Sequence, residues 1–137
     1  MKFENSVYFK DLKPLKIEMP FGNFYLCKKF FVSEMHEGVH FDWELIQKIM
    51  VKVVDFYGTN AKVGYISNRI NSYSSDPKTW DLVDKEFGII VGGAIVVYNQ
   101  MAFMNATLEK RFYEKSIKRC ISLDEAVGWI NNLQELN

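Results

Sequence analysis

From Gly92 to Tyr98 the chain reads Gly-Gly-Ala-Ile-Val-Val-Tyr, and no polar side chain interrupts it until Asn99. A half-buried strand alternates apolar and polar residues, so an unbroken β-branched run predicts a strand covered on both faces, inside a parallel sheet. Parallel neighbours cannot be joined by tight turns and need crossovers, usually helices. The Gly92-Gly93 pair comes before this run instead of joining a strand to a helix, so it reads as a turn and not as a phosphate cradle.

The surrounding sequence supplies the crossovers. Asp42 is a good N-cap for a helix in which Leu45, Ile46, Ile49, Met50, Val53, Val54 and Tyr57 recur at helical spacing, and Gly58 ends it. A strand is expected at Ala61 to Ile66, then a polar loop, then a helix from Pro77 to about Glu86 with Trp80 and Val83 on one face. After the Gly92 strand, a helix from about Met101 to Tyr113 places Met101, Met104, Leu108 and Phe112 in line, followed by a short strand at Ile117 to Ile121. Ser122-Leu123-Asp124-Glu125 is a capping box that opens the last helix. Upstream, Leu15–Glu18 and Asn23–Val32 read as the arms of one antiparallel hairpin, with Met19-Pro20-Phe21-Gly22-Asn23 as its turn. The expected fold class is α/β: a single mixed sheet, an amino-terminal antiparallel hairpin plus parallel βαβ units, flanked by about four helices. Residues 1–137 form one domain in this reading, with 1–13 a loose amino-terminal segment.

Charge and composition narrow the function classes. Seventeen basic residues balance seventeen acidic ones in 137, so the broad positive field needed for a phosphate backbone is missing and nucleic acid is not an expected partner. The densest basic stretch, Lys110, Arg111, Lys115, Lys118 and Arg119, has Glu109 and Glu114 mixed into it, as on a solvated helix face; the other reading is a docking patch for an acidic partner. Cys27 and Cys120 are far apart and show no metal-ligand spacing, which predicts two buried, reduced thiols. No apolar run approaches a signal sequence or a membrane span, so a cytoplasmic protein is expected.

The most concentrated polar chemistry lies in Asn68-Arg69-Ile70-Asn71-Ser72-Tyr73-Ser74-Ser75-Asp76-Pro77. It follows a strand and leads into a helix whose cap is expected at Asp76, and ligands of open α/β sheets bind outside the carboxyl ends of strands. Arg69 could hold a carboxylate or phosphate through two parallel hydrogen bonds, with Asn68, Asn71, Ser72 and Tyr73 around it. Alternatively these residues satisfy one another in an ordered turn.

His36-Glu37-Gly38-Val39-His40 fits the H-E-x-x-H pattern of zinc peptidases. That pattern works only inside a helix, where two histidines one turn apart share a metal. Gly38 in its middle and the helix start at Asp42 argue against it, and these are the only two histidines of the chain. No metal ligand, catalytic residue or cofactor is assigned.

With this order of elements, residues 14 to 135 resemble the STAS-type fold of the bacterial anti-sigma-factor antagonists. More narrowly, Tyr65-Ile66-Ser67-Asn68-Arg69-Ile70-Asn71-Ser72-Tyr73-Ser74 and Phe41-Asp42-Trp43 are similar to small bacterial proteins of the STAS-like and lipid-transfer-like superfamily. In the antagonists, a serine in an Asp-Ser-Ser-Gly-like turn after the corresponding strand is phosphorylated to switch binding to an anti-sigma kinase. The resemblance puts Ser74 and Ser75 at that place, although here Asp76 follows the serines and Pro77 stands where the family has Gly. It implies a non-enzymatic regulatory module that binds a protein partner or a small anionic ligand through residues 68–76 and the following helix N-terminus. The aromatic content, the six methionines and the lipid-transfer branch leave a carrier of a lipid or other apolar molecule as the alternative, and a metal-dependent hydrolase through His36 and His40 as the third. An edge strand of the hairpin could also pair across a two-fold axis as a homodimer.

Overall fold

The computed structural model describes residues 1–111, 113 and 115–136. Phe112, expected on the apolar line of the fourth helix, and Glu114 of the basic stretch lie outside the described residues. The chain opens with a 3-10 turn at Phe3–Asn5 and a short helix α1 at Val7–Leu12, followed by strands β1 (Leu15–Met19), β2 (Gly22–Leu26) and β3 (Phe30–Met35). A two-residue strand β4 (His40–Phe41) precedes helix α2 (Trp43–Tyr57); β5 (Val63–Asn68), a second two-residue strand β6 (Ser74–Ser75) and α3 (Thr79–Glu86) come next. The chain ends with β7 (Ile90–Val96), α4 (Gln100–Lys110), β8 (Ser116–Cys120) and α5 (Leu123–Asn131), then a closing 3-10 turn.

Six strands form one mixed sheet in the order β1-β2-β3-β5-β7-β8. β1, β2 and β3 are antiparallel, while β3, β5, β7 and β8 run parallel. β7 lies inside the sheet between β5 and β8, as its apolar run requires. Side chains alternate between two cores. On one face Phe24, Leu26, Phe31, Val63 and Ile95 meet Ile46, Ile49, Met50 and Val53 of α2, Trp80 of α3 and Ala106 of α4. On the other, Tyr25, Phe30, Val32, Ile66, Ala94 and Val96 meet Phe3 and the α5 residues Leu123, Ala126, Val127 and Ile130.

The local signals hold where a side chain serves its own backbone. Asp42 accepts from the Leu45 amide at 3.1 Å, and Ser122 accepts from the Glu125 amide at 3.1 Å. Glu125 in turn reaches the Ile121 amide at 2.9 Å, one residue before the cap. Asp76 does not cap α3 as expected: it receives the Lys78 amide at 3.0 Å in the turn before the helix, which starts at Thr79 with Lys78 as its N-cap.

Several expectations are corrected. The arm Asn23–Val32 is two strands, broken at a hairpin where the exposed Lys28 and Lys29 face solvent and the Cys27 amide bonds the Phe30 carbonyl at 2.9 Å. Tyr57 at the end of α2 clamps that turn, donating to the carbonyls of Cys27 at 2.5 Å and Phe30 at 2.9 Å. Gly92 and Gly93 lie inside β7, not in a turn. A Cβ on Gly92 would sit 2.7 Å from Leu133 and one on Gly93 2.8 Å from the Trp80 ring, so the absence of a side chain lets both helical layers close on the strand. Among the described residues there are five helices, the six-residue α1 being the one beyond the four that were expected. The amino-terminal segment is not loose: Phe3 is fully buried, and its amide donates to Glu34 at 2.7 Å.

The line of α4 also turns out differently. Met101, Met104 and Leu108 are 74%, 64% and 50% exposed, while Ala106 and Glu109 are the buried residues of the helix. Cys27 and Cys120 are free thiols and buried, and burial pushes both up to about 12.

Candidate functional site

β5 runs two residues further than the apolar run suggests, to Asn68, because its polar end finds partners on neighbouring strands. Ser67 and Asn68 are each 1% exposed. Asn68 donates to Glu34 of β3 at 2.7 Å and accepts from the Tyr98 hydroxyl at 2.6 Å. It therefore points to the α5 side of the sheet, away from the rest of the expected group. Burial raises the Glu34 carboxyl above its ordinary range, and its bonds to the Phe3 amide and Asn68 offset this only in part.

Arg69 turns to the opposite face. Its guanidinium grips both oxygens of Glu109 on α4, at 2.5 and 2.7 Å, with side chains 16% and 6% exposed. Nε donates to Ser67 at 3.1 Å, the guanidinium carbon lies 5.3 Å from the Tyr73 ring centre, and Trp80 Nε1 donates to Glu109 at 2.9 Å. Tyr73 and Ser67 share a hydrogen bond of 2.9 Å, and Tyr65 and Ser33 another of 2.6 Å. Burial by itself would lower the guanidinium pKa; Tyr73, Glu109 and Tyr65 outweigh it and hold Arg69 firmly charged.

This cluster forms one wall of a small cavity of about 60 Å³, whose other walls are apolar, among them Phe24, Phe31, Phe41, Ile49 and Trp80. Its polar lining residues are Arg69, Glu109, Ser75 and Thr79, with Tyr65 and Tyr73 beside them. The space is enough for a few waters or a short side chain, well under the several hundred Å³ that small-molecule pockets usually offer.

The segment after Arg69 is extended and fastened at several points. Asn71 donates to the Met35 carbonyl at 3.0 Å, Ser72 accepts from the Gly38 amide at 2.8 Å, and β6 pairs in parallel with β4. Ser72, Ser74 and Asp76 are exposed, while Tyr73 and Ser75 point inward. Ser74 Oγ lies 2.7 Å from His40 Nδ1. Among the described residues no other side chain bonds that ring, so the pair lacks the orienting third member of a nucleophilic triad.

The H-E-x-x-H stretch is a turn followed by β4, and Gly38 has φ 79°, so the two histidines do not share a helix face. Among the described residues no group of three or more His, Cys, Asp or Glu is placed to hold a metal, and no helix is long and apolar enough to cross a membrane. Of the expected site residues, the fold brings Arg69, Tyr73 and Ser75 to the cavity, puts Ser72 and Ser74 on the surface beside it, ties Asn71 to β3 and sends Asn68 through the sheet. Glu109, Trp80 and His40 complete the site without having been singled out for it. No spacing rule could have paired Arg69 with a residue 40 positions away, although an acid beside an apolar helix stripe was visible.

Neither a family model nor a curated protein matches the sequence. In three dimensions the chain is similar to an uncharacterised protein of the DUF3478 family with a SpoIIAA-like fold from Shewanella loihica PV-4. The two share 11% identity at a TM-score of 0.52, over 85% of this chain and 91% of that one. The chain has a SpoIIAA-like fold. At this identity the likeness concerns the fold alone, and it agrees with the STAS-type reading of the sequence. In the SpoIIAA-like frame, the segment from Arg69 to Asp76 is the β5-to-α3 connection at the carboxyl end of the parallel strands.

Proposed function

We propose that the protein is a non-enzymatic interaction module of SpoIIAA-like fold that receives a protein partner on residues 68–76 and the start of α3. The observation that carries this is the division of labour within the segment. Arg69 and Tyr73 are held inside against Glu109 and Ser67, while Ser72, Ser74 and Asp76 stand outward along a segment that β6 pins to β4. A rigid polar surface of this sort loses little freedom on docking. A small anion finds less, because the one guanidinium in the segment already has a carboxylate on both its donor arms. The 60 Å³ cavity beside Arg69 is itself too small to take a lipid.

Ser74 is the better of the two candidate phosphoacceptors, since it is exposed and Ser75 lines the cavity. A phosphate on Ser74 would bring nearly two negative charges next to His40 and change what the surface attracts. The test is photo-crosslinking in the native host from benzoylphenylalanine placed at position 72, 74 or 52. Defined adducts at 72 and 74, absent at the exposed Lys52 of α2, support the reading. Silence at 72 and 74, or the same adducts from all three, defeats it.

A further inference from the structure

β1 closes one end of the sheet, and its outer edge is bare. The two-residue turn Pro20-Phe21 pairs Met19 with Gly22, and such a closing pair bonds inward. By alternation Ile17 and Leu15 also bond β2, while Lys16 and Glu18 aim their N–H and C=O groups away from it. Among the described residues no hydrogen bond reaches those outward groups. An edge of this kind is a template for another strand. The side chains alternate as well. Lys16 and Glu18 stand on the α5 side, opposite Tyr25 and Asn23, and Lys16 is held there by Glu4 at 2.6 Å. Leu15, Ile17 and Met19 stand on the α2 side, where Ile17 and Met19 pack at the margin of the core and Leu15 is 49% exposed.

We infer that β1 is a dimer edge that takes β1 of a second copy as its antiparallel neighbour, across a two-fold axis at Ile17. The strand Leu15-Lys16-Ile17-Glu18-Met19 chooses this occupant because it is complementary to itself. Centring on Ile17 sets Lys16 against Glu18 of the second copy and Glu18 against its Lys16, and these are the residues whose outward groups then exchange backbone hydrogen bonds. Lys16 and Glu18 already lie 3.2 Å apart within one strand, so the four side chains form a ring of alternating charge. On the other face Leu15 meets Met19 of the second copy and Ile17 meets itself, which continues the apolar strip from one chain to the next. Moving the axis to Lys16 or Glu18 sets like charges face to face and brings Pro14 or Pro20, which lack an N–H, into the ladder. The opposite edge of the sheet, β8, carries Lys118 and Arg119 and no acid, so it offers a copy of itself only like charge.

Sedimentation velocity of the whole chain at about 50 µM is expected to give the mass of two chains. Glu18→Lys, at a side chain 72% exposed, and Lys16→Glu each set like charges across the axis and should each shift sedimentation to the mass of one chain. Mixed in equal amounts, the two variants should recover the mass of two chains, because every opposed pair is then of opposite sign. A fold lost to substitution is not recovered by mixing, so this arm separates association from folding. Ile17→Cys tests the register. At the axis the two Cα atoms come within about 4.5 Å, inside disulfide reach, so diamide should give a covalent dimer while the buried Cys27 and Cys120 stay reduced. Leu15→Cys, about 14 Å from its copy in this register, should give none. Ser74→Arg should leave the mass of two chains, since β2 and β3 separate β1 from β5, and this keeps the edge distinct from the surface proposed above. The mass of one chain for the unsubstituted protein, a dimer that Glu18→Lys leaves in place, a mixture that stays at one chain, or equal crosslinking at Leu15→Cys and Ile17→Cys overturns the inference.

Discussion

Removing the Arg69 side chain would leave Glu109 as a carboxylate 6% exposed, with only the Trp80 indole among the described residues to answer it. Breaking one side of a buried pair costs about 3–5 kcal/mol, far more than the pair contributes over an apolar replacement. Arg69→Ala is therefore expected to lower unfolding free energy by about 3 kcal/mol in urea titrations. Arg69→Met combined with Glu109→Leu should recover most of that loss. A loss under about 1 kcal/mol in the single variant would mean that water screens the pair, and would return Arg69 to the role of a surface ligand. The sequence marked this residue for its donors and its place after a strand. What it could not show was the acceptor, because Glu109 sits 40 positions away and only the packing of α4 over β5 brings the two together.

Elements whose shape depends on neighbouring residues were readable one by one. Asp42 and Ser122 cap the helices they were expected to cap, since each bonds an amide three residues on. Which face α4 would bury was not readable. The large apolar side chains favoured the Met101 line, but Trp80, bonded to Glu109 and 5.1 Å from the Tyr113 ring, fills the volume on this side of the sheet. The helix fits against it with small residues, Ala106 at 0% exposure and Ala102 half-buried. Two glycine substitutions probe that packing. Gly93→Ala drives a Cβ to 2.8 Å from the Trp80 ring and should destabilise by about 1–3 kcal/mol in thermal unfolding. Gly128→Ala, exposed within α5 with nothing within 4 Å of the new carbon, should stabilise by about 0.5–1 kcal/mol. Equal effects at both positions would show that the approach of Trp80 to β7 is not tight.

For the molecule as a whole, Glu34 joins three distant parts of the chain, accepting from the Phe3 amide and from Asn68 while sitting 5% exposed on β3. Its carboxyl is raised in the folded state, chiefly by burial, so the native protein holds that proton more tightly than the unfolded chain. The resulting stabilisation is complete below the ordinary value of 4.5 and is lost as pH climbs through the folded value. Glu34→Gln keeps an acceptor for both donors and removes the titration. Its melting temperature relative to wild type should therefore rise between pH 4 and pH 7, and a difference that stays constant over that range would show that Glu34 is not buried as a costly charge.

By itself the sequence determined the α/β class, the alternation of main-sheet strands and helices from α2 onward and the interior place of the strand that holds Gly92 to Val96. Each of these follows from periodicity, caps and turn chemistry acting over a few residues. Tertiary structure alone decided that Arg69 belongs to Glu109, that Asn68 crosses to Glu34, that Phe3 fastens the amino-terminal segment and that α4 turns its methionines outward. The physical reason is the same in every case. A buried charge or amide takes whichever partner the sheet order brings within 3 Å, and a helix buries whichever face fits the space left by its neighbours, and neither choice is written in local spacing.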